Sequence, residues 1–440
     1  MKPFQPQTSL SFRTVNNFAL HTATPKKVLF LTYRFPYPLI GGDRLKSYHL
    51  LRHFSDISNV DLLSLDEWGS ATENNFAEIA KLTKTVTVVP FKKGAARWRA
   101  AFSILTKIPV EYAWYDSPEM QIAVNNALDK QRYDLIVCFF LRTAIYVKNV
   151  KNTPKLLVAE DSRLLAQERG SKKPSLSPEY VIRKIDAGKL TSFEPAMMKK
   201  FELTTFVAQP DQDRVLKVDP NLQTALLTNG VDTSHYSFYR GKKENNILFA
   251  GHLGIYHNKL MTRRILNKIY PLIKQVSPET TLRIVGKDPD RSLQNLVAAT
   301  PGASLHSNVP DIAPYYEKAS VFIHPQEIGA GIQNKLLESM ASGTPVVTTV
   351  IGASGISGVI DRRHLLVSET DQEFANAALS LLNDQSESAR LSENARKLIE
   401  QRYTWEKVFD SLDVIIASLA PSFFVTTDRS LQQTSHDSSR

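Results

Sequence analysis

The sequence predicts an α/β protein of two doubly wound parallel-sheet domains. Three observations carry this. Short apolar runs alternate along the chain with stretches of helical periodicity, the pattern of strand-helix-strand crossovers in a parallel sheet. At 440 residues the chain is too long for one ordinary domain and suits two of roughly 200 each. Near the middle, an Asn-Gly turn in Thr228-Asn229-Gly230-Val231-Asp232 and a polar stretch at 239–246 interrupt the alternation.

Taken in order, residues 1–25 are polar and patternless and read as a flexible extension. Strand-like runs at 28–32, 60–65, 86–89, 134–140, 155–159, 203–208 and 224–227 define an N-terminal domain over 26–228. After the first run a helix fits with Leu45, Tyr48, Leu51 and Phe54 on one face. Gly41-Gly42 lies between that strand and helix, at the strand end where open parallel sheets bind ligands. Residues 229–246 read as a linker. A second domain over 247–404 has runs at 247–250, 282–286, 321–324, 346–347 and 365–367. A last helical pattern covers 405–419, and the Ser-, Thr- and Gln-rich stretch 420–440 reads as a disordered tail.

Composition narrows the partners. A hydrophobic content of 42% and a charged content of 22% are globular values. The net charge of +10 admits nucleic acid, an anionic membrane surface or phosphorylated small molecules. No zinc-finger spacing, RNA-recognition signature or basic-zipper pattern accompanies it, which argues against nucleic acid. The single cysteine, Cys138, lies in an apolar run and reads as a buried, inert thiol; no disulfide framework is possible, which suits a reducing compartment. No segment approaches 18 consecutive apolar residues and the first 25 lack the apolar core of a signal peptide, so the expected location is cytoplasmic. Residues 91–109 place Trp98, Ala101, Phe102 and Leu105 at helical spacing among Lys92, Lys93, Arg97, Arg99 and Lys107. Such a helix can pack its apolar face on the sheet and leave its cations solvated, or lie in the interface of an anionic membrane.

The chemistry concentrates in 321–349, VFIHPQEIGAGIQNKLLESMASGTPVVTT. An apolar run leads into a loop with Gly329 and Gly331; Leu336, Leu337, Met340 and Ala341 then follow helical spacing, and Gly343 and Pro345 precede the next run. A loop entering a helix offers unpaired N–H groups and a positive dipole end, which suit a diphosphate. Asn334 and Glu338 are four apart and Lys335 and Glu338 three apart, so all three can share the face toward that loop, where a carboxylate could chelate sugar hydroxyls. The plainer reading is a solvated ion pair on an ordinary helix. No cluster of His and carboxylates at ligand spacing implies a metal.

Glu338-Ser339-Met340-Ala341, Gly343 and Pro345-Val346-Val347 resemble the donor-binding signature of GT-B glycosyltransferases of the retaining family 4. The resemblance implies two Rossmann-like domains, a nucleotide-diphosphate sugar as donor with no further cofactor, a glycan or lipid-linked saccharide as acceptor, and transfer with retention. It assigns Glu338 to the ribose. It assigns the diphosphate to Gly331, Ile332, Gln333, Asn334, Lys335 and Lys259, with Gly251-His252 standing where relatives have Gly-Arg. Gly286 falls in an element lining the nucleotide, Asp311 in one near the base, and Gly41-Gly42 in a loop facing donor phosphate and acceptor. The signature's first glutamate falls on Ala330, with Glu327 nearby but out of register. The run Gly331 to Lys335 is similar to the exopolysaccharide and PEP-CTERM-associated subgroup, which lacks that glutamate. Where many relatives carry a histidine, this chain has Phe139-Phe140-Leu141-Arg142, with Arg142 either reaching substrate or solvated on a loop. Lipid-linked acceptors in the family go with docking on the cytoplasmic leaflet, a role open to 91–109. Two rivals stand beside the transferase: an epimerase of the same architecture, for which no acid-base set is evident, and a catalytically silent binding subunit of a polysaccharide assembly complex.

Overall fold

The structure, a computed structural model, describes residues 25–171 and 178–424. Nearly all of the expected N-terminal extension, and the tail from 425 on, lie outside the described residues.

Two parallel sheets organise the chain. The first holds β1 (Lys27–Thr32), β2 (Asn59–Asp66), β3 (Thr85–Pro90), β4 (Leu135–Phe139), β5 (Lys155–Glu160), β6 (Leu203–Phe206) and β7 (Thr224–Leu226), in the order β3-β2-β1-β4-β5-β6-β7. The second holds β8 (Glu244–His252), β9 (Thr281–Lys287), β10 (Ala303–Ser307), β11 (Ala319–His324), β12 (Val346–Thr348) and β13 (Leu366–Val367), in the order β10-β9-β8-β11-β12-β13. Central strands such as β1 and β4 are buried almost throughout because helices cover both faces, which is why they read as unbroken apolar runs. Alternate residues of β1 serve opposite faces, with Leu29 and Leu31 in one core cluster and Val28 and Phe30 in another. In each sheet the first strand has neighbours on both sides, so the order reverses there, between β1 and β4 and between β8 and β11. Ligands of doubly wound sheets bind outside the strand ends at such a reversal.

The helix Trp405–Leu419 returns to the first sheet, where Trp405, Val408 and Leu412 are buried with Val28 and Phe30. Beside it, the N–H of Val231 donates to Tyr403 O at 2.7 Å, so the two passages between the sheets run side by side. Trp405 fills the space that a side chain at Gly230 would need.

The structure differs from the sequence reading at 303–307 and at the tail, and it decides between the two readings of the basic helix. β10 escaped the sequence reading because its residues are only half-buried at a sheet edge and lack a clear apolar run. The tail does not begin at 420, since Phe423 is buried against the first sheet's core. The helix Lys93–Ser103 does not pack its apolar stripe on the sheet: Trp98 is 81% exposed, Phe102 70% and nearby Leu105 85%.

Candidate active site

The facing strand ends enclose a cleft of about 790 Å³, lined from the first sheet by Gly41, Gly42, Glu160 and Asp161 and from the second by Gly251, His252, residues 330–335 and Glu338. The loop after β11 shapes its second wall. Gly331 takes φ +69, and a Cβ there would lie 3.3 Å from Val207 and 3.4 Å from Asp161, so glycine lets the loop lie against the first-sheet wall. The loop is also tied across the cleft. The Gly331 N–H donates to Asp211 Oδ2 at 2.9 Å, and Arg169 Nη1 donates to Gly329 O at 2.9 Å. The expectation that the Gly331 N–H serves a phosphate is therefore corrected, because Asp211 already holds it.

The helix Asn334–Ala341 begins at Gln333, which supplies no side-chain cap, so its first amides keep their positive end toward the cleft. Asn334 looks the other way in part: its Oδ1 accepts from Asn229 Nδ2 at 2.7 Å, and its Nδ2 would lie 3.0 Å from a Cβ on Gly42. The diglycine thus admits the start of the helix Asn334–Ala341 close to the first sheet.

Lys335 Nζ donates to Asn258 Oδ1 at 2.7 Å, and Asn258 Nδ2 in turn donates to His252 O at 2.9 Å. Burial lowers the Lys335 ammonium to about 8, against the opposing pull of Glu338. Glu338 Oε2 accepts from Tyr316 OH at 3.0 Å. Burial raises its pKa, while the Tyr316 hydroxyl and the charges of Lys335 and His235 hold it back. Its Oε1 has no hydrogen-bond partner among the described residues. His252 lines the cleft with Nε2 3.1 Å from Asp288 and a buried, unpartnered Nδ1.

Four predicted residues stand elsewhere. Lys259 does not line the cleft; one position beyond Asn258 on the helix Tyr256–Arg264, it turns away and pairs with Asp290 at 2.9 Å. Gly286 lies under the site rather than in it, since a Cβ there would come 1.7 Å from Gly251 O, so its glycine lets β8 and β9 end side by side. Asp311 pairs with His235 at 3.1 Å near the rim, and its neighbour Ile312 lines the cleft instead. Arg142 is neither solvated nor in the cleft wall. Its guanidinium lies 4.4 Å from the Tyr33 ring centroid and pairs with Glu111, which also takes Arg163 at 2.8 Å. Glu327 pairs with Arg264 at 3.4 Å, so it does not substitute for the carboxylate missing at Ala330.

Sequence reasoning missed Asn258, Asp211, Glu160 and Asp161. The last two directly follow an apolar run, and a carboxylate at a predicted strand end was the signal available for them. The walls differ in character: the second offers Lys335, His252 and a helix N-terminus to an anion, while the first carries the carboxylates of Asp43, Glu160 and Asp161, the first two of them paired with Arg34 and Lys46.

Residues 244–384 match the family model described as glycosyl transferases group 1. A protein of Klebsiella pneumoniae, described as an uncharacterized 44.6 kDa protein in the cps region, is 26% identical over 174 residues, 38% of this chain; the match spans 45% of that protein's length. Among solved structures, sucrose-phosphate synthase from Thermosynechococcus elongatus is similar with a TM-score of 0.66 at 17% identity, covering 90% of this chain and 100% of that one. Anabaena HepE in complex with UDP and glucose is similar with a TM-score of 0.64 at 14% identity, with the same coverages of 90% and 100%. The fold is GT-B.

Proposed function

We propose that this chain is a group 1 glycosyltransferase that moves a hexosyl unit from a nucleotide-diphosphate sugar to a glycan or lipid-linked saccharide with retention of configuration, in cell-surface or exopolysaccharide biosynthesis. The observation that carries the reading is the helix Asn334–Ala341, which brings an uncapped N-terminus, Lys335 and Glu338 to one cleft. The group 1 match over the same stretch, the cps-region relative and UDP in Anabaena HepE support it.

Glu338 Oε1 accepts from the ribose hydroxyls. The first amides of the helix, Lys335 and His252 meet the diphosphate. With Ala330 where a carboxylate would grip the donor sugar, the backbone at Ile332 and Gln333 takes that work. In the transfer, the C1–O bond to phosphate breaks and its electron pair leaves with the nucleoside diphosphate. The acceptor oxygen bonds to C1 on the same face, and its proton passes to the departing phosphate oxygen. Lys335 and the helix dipole stabilise the charge that develops there.

The exposed Trp98, Phe102 and Leu105, flanked by Lys92, Lys93, Arg97 and Lys107, form a surface for the anionic inner leaflet, making the protein cytoplasmic and peripheral. No described helix is long and apolar enough to cross a membrane. Ala330 favours one rival, a silent donor-binding subunit. Incubating the protein with UDP-, GDP- and ADP-sugars and resolving nucleotide and products by mass spectrometry separates the two: release of nucleoside diphosphate with a glycosylated product supports the transferase, and binding without release supports the silent subunit.

A further inference from the structure

The first-sheet wall carries groups that donor binding leaves unused. β5 ends in Glu160 at φ +70, a left-handed conformation that non-glycine residues adopt only against strain and that clusters at functional sites. Glu160 has a counter-charge: its Oε1 lies 2.7 Å from Nζ of the buried Lys46, which donates its hydrogen bond to Leu227 O, so that oxygen is ion-paired although it accepts no hydrogen bond. The next residue, Asp161, is different. Its Oδ2 accepts from Arg163 Nη1 at 3.2 Å, but its Oδ1 is buried and has no hydrogen-bond partner. A buried carboxylate oxygen without a donor is costly to keep, so such an atom in a cleft wall points to a ligand that completes it. Gly331 lies directly opposite, its absent Cβ 3.4 Å from Asp161 Cβ, which puts Asp161 beside the loop leading to the donor helix.

The charge of this wall restricts the ligand. Asp43, Glu160 and Asp161 line it together. Three cations near them are committed, Arg34 to Asp43 at 3.0 Å, Lys46 to Glu160, and Arg163 shared between Asp161 and Glu111, while Arg44 beside Asp43 donates to Ser70 Oγ. Arg52 also lines the cleft, but it is exposed.

We infer that Asp161 accepts a hydrogen bond from a hydroxyl of an uncharged sugar acceptor, and that the carboxylates of this wall reject acceptors whose reacting residue carries a phosphate or carboxylate. The inference rests on the transferase reading and names its acceptor class. In the transfer described above, Asp161 orients the acceptor and takes no proton.

The test measures transfer from the preferred nucleotide sugar to methyl glycosides of glucose, galactose, mannose and N-acetylglucosamine, to the corresponding 6-phosphates and to methyl glucuronide. Neutral glycosides are expected to react with a kcat/KM at least about 100-fold above their charged counterparts, the scale on which unmatched charge is rejected. Asp161→Asn, nearly isosteric, is expected to raise acceptor KM about tenfold or more with a smaller change in kcat. Its UDP affinity by calorimetry is expected to match the parent, its melting temperature to fall because Arg163 loses a charged partner, and Asp161→Glu to recover part of the acceptor affinity. A phosphorylated or uronic acceptor used as well as a neutral one, an unchanged acceptor KM in Asp161→Asn, or bound donor with no neutral glycoside accepted would each overturn the inference. Failure of the parent protein to bind any nucleotide sugar refutes instead the donor reading on which it rests.

Discussion

Asp211 accepts the backbone N–H of Gly331 at 2.9 Å, tying the glycine loop after β11 to the opposite sheet. Its other oxygen accepts from Ser162 N at 2.8 Å. Burial, with the charge of Asp161 beside it, raises this carboxyl to about 7, while the two N–H groups and Arg169 pull the other way. A folded-state pKa above the unfolded one gives a contribution that is complete below the unfolded pKa and is lost as pH rises through the folded value. The parent melting temperature should therefore fall between about pH 4 and 7 by more than that of Asp211→Asn. The check is a thermal melt of both proteins at unit pH steps; equal slopes would remove Asp211 as a titrating tie.

Lys335 is shifted in the opposite direction. Its ammonium is lowered to about 8 by burial, so the free protein loses that charge between neutral and alkaline pH. Bound diphosphate favours the charged form, and UDP affinity should fall about tenfold from pH 7 to pH 9.5. Lys335→Met should bind more weakly at pH 7 and show no such fall. Calorimetric titration with UDP across this range measures both.

Arg142 belongs to stability rather than to substrate. Burial would raise the Glu111 pKa, but Arg142 and Arg163 outweigh it and hold that carboxyl at about 2. Its stabilising contribution is present above the unfolded pKa and disappears as pH falls toward 2. Arg142→Ala removes one partner of a buried pair and should cost about 3–5 kcal/mol in denaturant unfolding. Where the variant remains folded, its UDP affinity should equal the parent's.

The apolar stripe on Lys93–Ser103 is accessible for a membrane. Co-sedimentation with phosphatidylserine-containing vesicles should capture the parent and lose most of the Trp98→Ser, Phe102→Ser double variant, with salt weakening the parent's binding through its lysines and arginines. Equal capture of both proteins would exclude this surface as the docking face.

Much of the architecture is legible in the sequence because buried parallel strands must be apolar along their whole length. β1, β4 and β11 are therefore visible as runs, and Gly331 and Glu338 as parts of the loop and helix that follow β11. What stayed hidden depends on direction in space. Lys259 and Asn258 are neighbours in sequence, but the helical rotation between them sends one to Asp290 and the other to Lys335. Arg142 reads as a loop residue until Glu111, thirty-one positions earlier, is seen against it. The tie from Asp211 to Gly331 spans 120 positions and no local pattern announces it. Gly286 shows the converse: its glycine is obvious in sequence, but its reason is the carbonyl of Gly251 on the adjacent strand.

The central claim is that Glu338 holds the nucleotide of a sugar donor. Calorimetric binding of UDP-, GDP- and ADP-sugars to the parent and to Glu338→Ala tests it most directly. The account predicts selective binding of one nucleotide class by the parent and a loss of about 10- to 100-fold in the variant, the scale of hydrogen bonds to a charged acceptor. Binding of no nucleotide sugar, or equal affinity in the two proteins, would contradict it.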